Sequence, residues 1–175
     1  QCTMSNIYGT INLLNAFNGS LFVAISTDKA AHLQGVYGAS KRIMERIIEE
    51  RAATNLSVKY VVPRYGNVIG STGSIVPKWI DAAENHKDIT ITDGEATRFF
   101  FTVGEAVDLI FEAIESAQSG QPYIKKMKSC SIDELANAIS DVYGAYGGMK
   151  VIGLQPGENM HEYLTDDYCS KDAER

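Results

Sequence analysis

Apolar residues recur at helical spacing at Ile7, Ile11, Leu14 and Phe17, and Asn18-Gly19 supplies a stop. The pattern predicts an amphipathic helix over 4–17. Leu21–Ile25 is a short unbroken apolar run, the form of a parallel strand covered on both faces. Over 36–51 the helical period returns, with Val36, Ala39, Ile43, Met44, Ile47 and Ile48 on one face and charge on the other. That face is expected in the core, although Ile43 and Ile47 also suit a contact between subunits. Val58–Val62 reads as the next strand, ended by Pro63. Arg64–Ser74 is a glycine-rich loop entering a helix with Pro77 in its first turn.

Asp88–Asp93 alternates like a strand. Thr102 with Glu105, and Ser131 with Glu134, form capping-box pairs that open helices running to Ala117 and Tyr143. Pro122–Lys125 and Met149–Gly153 read as short strands, and the polar stretch 166–175 as a frayed tail. The order α, β, α, β followed by shorter mixed elements predicts a doubly wound parallel α/β sheet with a small α+β lobe. Residues 1–70 then belong to the core, and 71–165 mainly to the lobe, with elements returning to the core. Gln1 is not an initiator Met and no capping residue precedes the first helix. The chain is therefore expected to be a fragment of one domain, its first strands lying ahead of Gln1.

Composition narrows the class. The chain has 175 residues, 45% hydrophobic and 22% charged, as in an ordinary globular protein. A net charge of -6 argues against a nucleic-acid surface, which needs concentrated Lys and Arg. Cys2, Cys130 and Cys169 are odd in number and far apart, so neither a disulfide framework nor a zinc site is suggested, and a reducing compartment is expected. No apolar run approaches the ~18 residues of a membrane span. No signal-peptide pattern is present, so a cytoplasmic protein without a membrane partner is expected. His32, His86 and His161 are scattered, and no metal ligand is read among them.

The chemistry concentrates in Ser26–Lys41, STDKAAHLQGVYGASK, at the C-terminal end of a strand, where open α/β sheets bind ligands. Tyr37 and Lys41 are one helical turn apart. A free tyrosine has a pKa near ~10, and a neighbouring ammonium favours its phenolate, so the pair can act as a general base. The spacing alone fits equally a packed tyrosine and a solvated lysine. Ser26 and Thr27 offer hydroxyls to a substrate. Asp28 and Lys29 place an acid beside a base, able to protonate a leaving hydroxyl and take a C–H proton; an exposed turn pair is the plainer alternative. Past the next strand, Asn67, Gly70 and Gly73 precede a helix, a plausible diphosphate cradle or a flexible connection.

STDKAAHLQGVYGASK, RYGNVIGSTGSIVPKW, ITDGEATRFF and LQPGENMHE, in that order, resemble the extended short-chain dehydrogenase/reductase family. Within it they look most like the soluble, inverting UDP-N-acetylglucosamine 4,6-dehydratases of pseudaminic acid synthesis. The resemblance runs from Asn6 to Leu164 and implies a Rossmann-like sheet and an NADP cofactor. It implies that Tyr37 removes the sugar 4-hydroxyl proton as hydride leaves C4. Lys41 would lower the Tyr37 pKa and, with Tyr37 and Ser26, hold the cofactor. Lys29 would take the C5 proton, and Asp28 would protonate the departing 6-hydroxyl. Thr27, Asn67, Ile75, Arg98, Gln155 and Glu158 would bind substrate, Arg98 at the diphosphate and Glu158 at a ribose or uracil group. Asn6 aligns with a supporting helix asparagine, for which a structural role is expected here. Membrane-anchored, retaining relatives carry Met where this chain has Tyr37.

Two departures stand out. The family pattern Arg-Pro-Gly-Glu-Lys is here Gln155-Pro156-Gly157-Glu158-Asn159, without either cation. The cofactor's phosphate loop would precede Gln1, so the 175-residue chain alone is expected to bind NADP weakly and to be inactive, with activity and a homo-oligomer (dimer or hexamer) expected of the full-length form. The alternatives are an epimerase, a dehydratase for another nucleotide sugar, or a non-catalytic binding protein on the same fold.

Overall fold

A computed structural model describes residues 1–33 and 35–173. The first predicted helix has two parts, a wide π-helical stretch Thr3–Tyr8 and α1, Gly9–Ala16. The central strand is β3, Lys59–Tyr65. On one edge it pairs in parallel with β1, Leu21–Val23, and then with β2, Ser26–Thr27; on the other it pairs in parallel with β7, Pro122–Tyr123. Alternation along β3 gives the two faces. Tyr60 and Val62 pack with Leu14 of α1 and with Met44, Ile48 and Ala52 of α2, Gly35–Thr54. Val61, turned the other way, packs on Ala113 of α4, Val103–Ser116. Helices on both faces of a parallel sheet make this a doubly wound α/β fold.

The smaller lobe contains β4, Asn67–Val68, α3, Ile75–Glu84, β5, Ile89–Ile91, and β6, Thr97–Phe101. It also contains β8, Ser129–Ser131, α5, Ile132–Tyr143, and β9, Met149–Val151. β6 lies between β4, parallel, and β8, antiparallel, while β5 pairs with β9. Its core joins Trp79 and Ala83 of α3 to Ile139 and Ala136 of α5 and to Ile89 and Ile91. Both capping boxes form, at Thr102/Glu105 and Ser131/Glu134, and each opens its predicted helix.

Four expectations are corrected. β3 does not end at Pro63 but runs through it to Tyr65. The proline stands between the β1 and β2 registers, at Val61 and Arg64, so neither demands an N–H from it. β1 is not covered on both faces: Leu21 is 38% exposed. The α2 stripe splits, with Met44 and Ile48 buried but Val36 and Ile43 exposed, because the helix packs on a narrower arc than its apolar residues span. The tail is not frayed as far as residue 173. β10, Tyr163–Thr165, pairs with β11, Tyr168–Cys169, and Ser170 is fully buried, its hydroxyl 2.7 Å from that of Thr97. Residues 174 and 175 lie outside the described ones. Among the described residues no helix is long and apolar enough to cross a membrane.

Candidate active site

Strand β2 ends at Thr27 and the chain turns at once into a 3-10 turn, Asp28–Ala30, capped by the Thr27 hydroxyl. α2 packs directly on this turn, and Gly38 is what permits it. A Cβ at residue 38 would lie 2.2 Å from the Lys29 carbonyl oxygen, so no side chain fits without moving the turn. Gly38→Ala should therefore displace Lys29, lower stability by about 1–3 kcal/mol and depress turnover; thermal unfolding alongside an activity assay checks both. The other side of the turn is fixed by His32, stacked on Tyr163 of β10 at 3.9 Å.

The turn and the lobe enclose a cavity of about 530 Å³. Ser26, Thr27, Lys29, Tyr37, Lys41, Asn67, Ile75, Arg98 and Glu158 all line it. Residues read from four separate motifs thus converge on one space. Asp28 and Gln155 are not on its wall. Asp28 is only 1% exposed, and Thr27, which is on the wall, donates to its Oδ1 at 2.9 Å. Gln155 is exposed, its backbone N–H capped by Glu158 at 2.9 Å.

The Lys29 ammonium lies 3.2 Å from Asp28 Oδ1 and 3.2 Å from Glu162 Oε1. Burial pushes its pKa down, but the two carboxylates outweigh burial and hold it above the ordinary lysine value. Burial drives the Asp28 pKa up; Lys29 opposes this, Glu162 adds to it, and the balance is a raised value. Asp28 Oδ2 has no hydrogen-bond partner among the described residues, which also suits a carboxyl that keeps its proton.

Tyr37 is raised by burial, and the cation that most lowers it is Lys29. Lys41 is turned elsewhere: its ammonium donates to the Ile25 carbonyl at 2.8 Å and lies 4.0 Å from the Met44 sulfur, and burial lowers its pKa. Asn6 has a structural contact here, donating to the Ser40 hydroxyl at 3.0 Å, which itself donates to the Tyr37 carbonyl at 2.8 Å. Ser26 is committed to the fold. Its hydroxyl donates to Glu45 at 2.6 Å, inside a buried cluster where Arg64 donates twice to the same carboxylate at 2.8 Å.

Arg98 is buried, donating to the Thr97 and Met160 carbonyls at 2.9 and 3.2 Å, with Glu162 Oε1 at 3.8 Å from its Nε. Ser74, just before α3, also lines the cavity, and its hydroxyl has no partner among the described residues. Sequence reasoning passed over both Glu162 and Ser74. Glu162 stands inside LQPGENMHE, but no spacing links it to Lys29; only the fold brings β10 to the turn. Among the described residues no three His, Cys, Asp or Glu side chains gather as a metal site.

The whole chain, residues 1–175, matches the polysaccharide biosynthesis protein family. The chain belongs to that family. Members similar to it include a Rickettsia felis protein named UDP-glucose 4-epimerase, 33% identical over 165 residues, 91% of this chain and 48% of that protein. The Staphylococcus aureus capsular polysaccharide biosynthesis protein CapD is 38% identical over 171 residues, 94% of this chain and 28% of that protein. Among solved structures, Pen from Bacillus thuringiensis superposes with a TM-score of 0.85 at 30% identity, over 93% of this chain and 52% of that one. The chain thus spans about half the length of curated relatives such as the Rickettsia protein. The same fold, at 20% identity or less, is found in epimerases and dehydratases solved with NAD.

Proposed function

We propose that the protein is a nucleotide-sugar 4,6-dehydratase acting on UDP-N-acetylglucosamine or a close relative, with inversion at C5. The observation that carries this reading is Lys29, an amine on the cavity wall beside Tyr37 and 3.2 Å from a buried carboxyl, Asp28. Epimerisation at C4 alone needs no base for C5.

A nicotinamide dinucleotide, proposed to be NADP, supplies hydride acceptance from C4 and hydride return to C6. Tyr37 and Lys41 fit such a group: both face the cavity, and the Lys41 ammonium has donors beyond the one given to Ile25. The Ser26 hydroxyl, held by Glu45, fits it poorly. Tyr37 takes the 4-hydroxyl proton. The resulting 4-keto group acidifies C5–H, whose proton passes to the Lys29 amine. As the C5–H electron pair forms the C5–C6 double bond, the C6–O bond breaks, and the Asp28 proton, linked to the cavity through Thr27, leaves with that oxygen as water. A solvent proton added to C5 on the other face gives inversion, and the proton taken by Lys29 restores Asp28, 3.2 Å away. Arg98 and the Ser74 hydroxyl, with the N–H groups ahead of α3, suit the substrate diphosphate; Asn67, Ile75 and Glu158 suit the sugar and nucleoside. A dimer or hexamer is proposed as well, on the exposed Tyr8 of the π-helical stretch and the exposed Val36 and Ile43 of α2.

A second reading, a C4 epimerase, is favoured by the Rickettsia felis relative. Incubating the full-length protein with NADP and UDP-N-acetylglucosamine separates the two by mass. The dehydratase yields a product lighter by one water; an isomer of unchanged mass would establish the epimerase and end the first reading.

A further inference from the structure

Two cavity cations, Lys29 and Arg98, come from distant parts of the chain and converge on one buried carboxylate. Glu162 is 3% exposed. Its Oε1 is 3.2 Å from Lys29 Nζ and 3.8 Å from Arg98 Nε. Its Oε2 accepts from Asn159 Nδ2 at 3.2 Å, and its backbone N–H donates to the buried Ser170 hydroxyl at 2.9 Å. Glu162 itself is not on the cavity wall, whereas both cations are.

We infer that Glu162 is a positioning residue: with Asp28 it clamps the Lys29 ammonium at the cavity wall and so decides when that amine is free to act as a base. The inference rests on the dehydratase reading for its purpose, but not for its geometry. An ammonium between two carboxylates has a fixed place and keeps its proton; removing one carboxylate loosens both. Asp28 alone does not suffice, because its own burial favours the neutral carboxyl. The charged and titratable groups around Lys29 are Asp28 on its own turn, Glu162 before β10 with Arg98 of β6 beyond it, and Tyr37 on α2. Asn159, where the family pattern has Lys, leaves Glu162 to these two cations.

The test reads Lys29 directly. Acetic anhydride labelling of Lys29 is followed by mass spectrometry across pH in wild type, Glu162→Gln and Asn159→Lys. Amine reactivity rises as the proton is lost. Glu162→Gln should move the midpoint of Lys29 labelling to lower pH by about one unit or more. Asn159→Lys, which draws the Glu162 charge away while keeping the carboxylate, should move it the same way by less. A midpoint unchanged in both variants overturns the inference. The pH profile of water loss should shift with the labelling midpoint; lowered turnover with an unshifted profile would make Glu162 merely structural and also overturn it. If the full-length wild type releases no water at all, the dehydratase reading fails, while labelling still decides the role of Glu162.

Discussion

Lys29→Ala should abolish water loss from the nucleotide sugar while leaving its binding intact. Loss of a general base costs about 10²–10⁴-fold in rate, and the described cavity holds no second amine placed like Lys29, whose ammonium bridges Asp28 and Glu162. The same substitution removes the cation that most lowers Tyr37. Oxidation at C4 should therefore slow too, by about tenfold for each unit the Tyr37 pKa rises, but less than water loss does. Formation of reduced cofactor without water release is the expected signature, read by cofactor absorbance and product mass in one reaction. Retained water loss would remove Lys29 from the mechanism. The pH dependence has a definite sign. Two carboxylates hold the Lys29 pKa up, so the base form is scarce at neutral pH and the elimination rate should rise with pH until Asp28 loses the proton that the departing hydroxyl takes.

Tyr37→Phe should block an earlier step. Without the phenol nothing takes the 4-hydroxyl proton, so neither reduced cofactor nor water should form, again with a loss of about 10²–10⁴-fold. Binding of the sugar should persist, because Tyr37 is 44% exposed at the cavity and carries little of the core. Burial raises the Tyr37 pKa in the absence of ligand, so C4 oxidation in the wild type should also climb with pH. The two variants thus divide the reaction: Tyr37→Phe stops before C4 oxidation, Lys29→Ala after it. A Tyr37→Phe protein that still forms reduced cofactor would show that another group takes the hydroxyl proton.

Much of this was legible in the chain because it is local. The capping boxes at Thr102 and Ser131 are four-residue patterns, and both helices start where they stand. Ser26–Lys41 was legible for the same reason, since strand, turn and helix follow one another without a break. Contacts made across the fold were not. Glu162 meets Lys29 where β10 packs against the turn, beside the stack of His32 on Tyr163. Ser26 looked available to a ligand until Glu45 of α2, itself held by Arg64 of β3, claimed its hydroxyl. The tail looked polar and loose, yet its serine hydroxyl fills a buried polar site beside Thr97 that composition does not reveal. Pro63 looked like a strand end because a proline lacks a donor; the break between β1 and β2 makes that donor unnecessary.

The two carboxylates around Lys29 also explain why the Asp28-Lys29 pair is more than an exposed turn pair. Asp28 is nearly inaccessible, and the lysine beside it reaches the cavity at 36% side-chain exposure. A carboxyl whose pKa burial raises, next to an amine at a cavity wall, suits the elimination across C5 and C6 that we propose.

We propose that this pair removes water across C5 and C6. The most direct measurement is the reaction of the full-length protein with NADP and UDP-N-acetylglucosamine in deuterium oxide, with the product analysed by mass spectrometry and NMR. The prediction is a product lacking one water, carrying solvent deuterium at C5 with inverted configuration and a new methyl group at C6. A sugar that keeps its C6 oxygen and its original C5 hydrogen would contradict it.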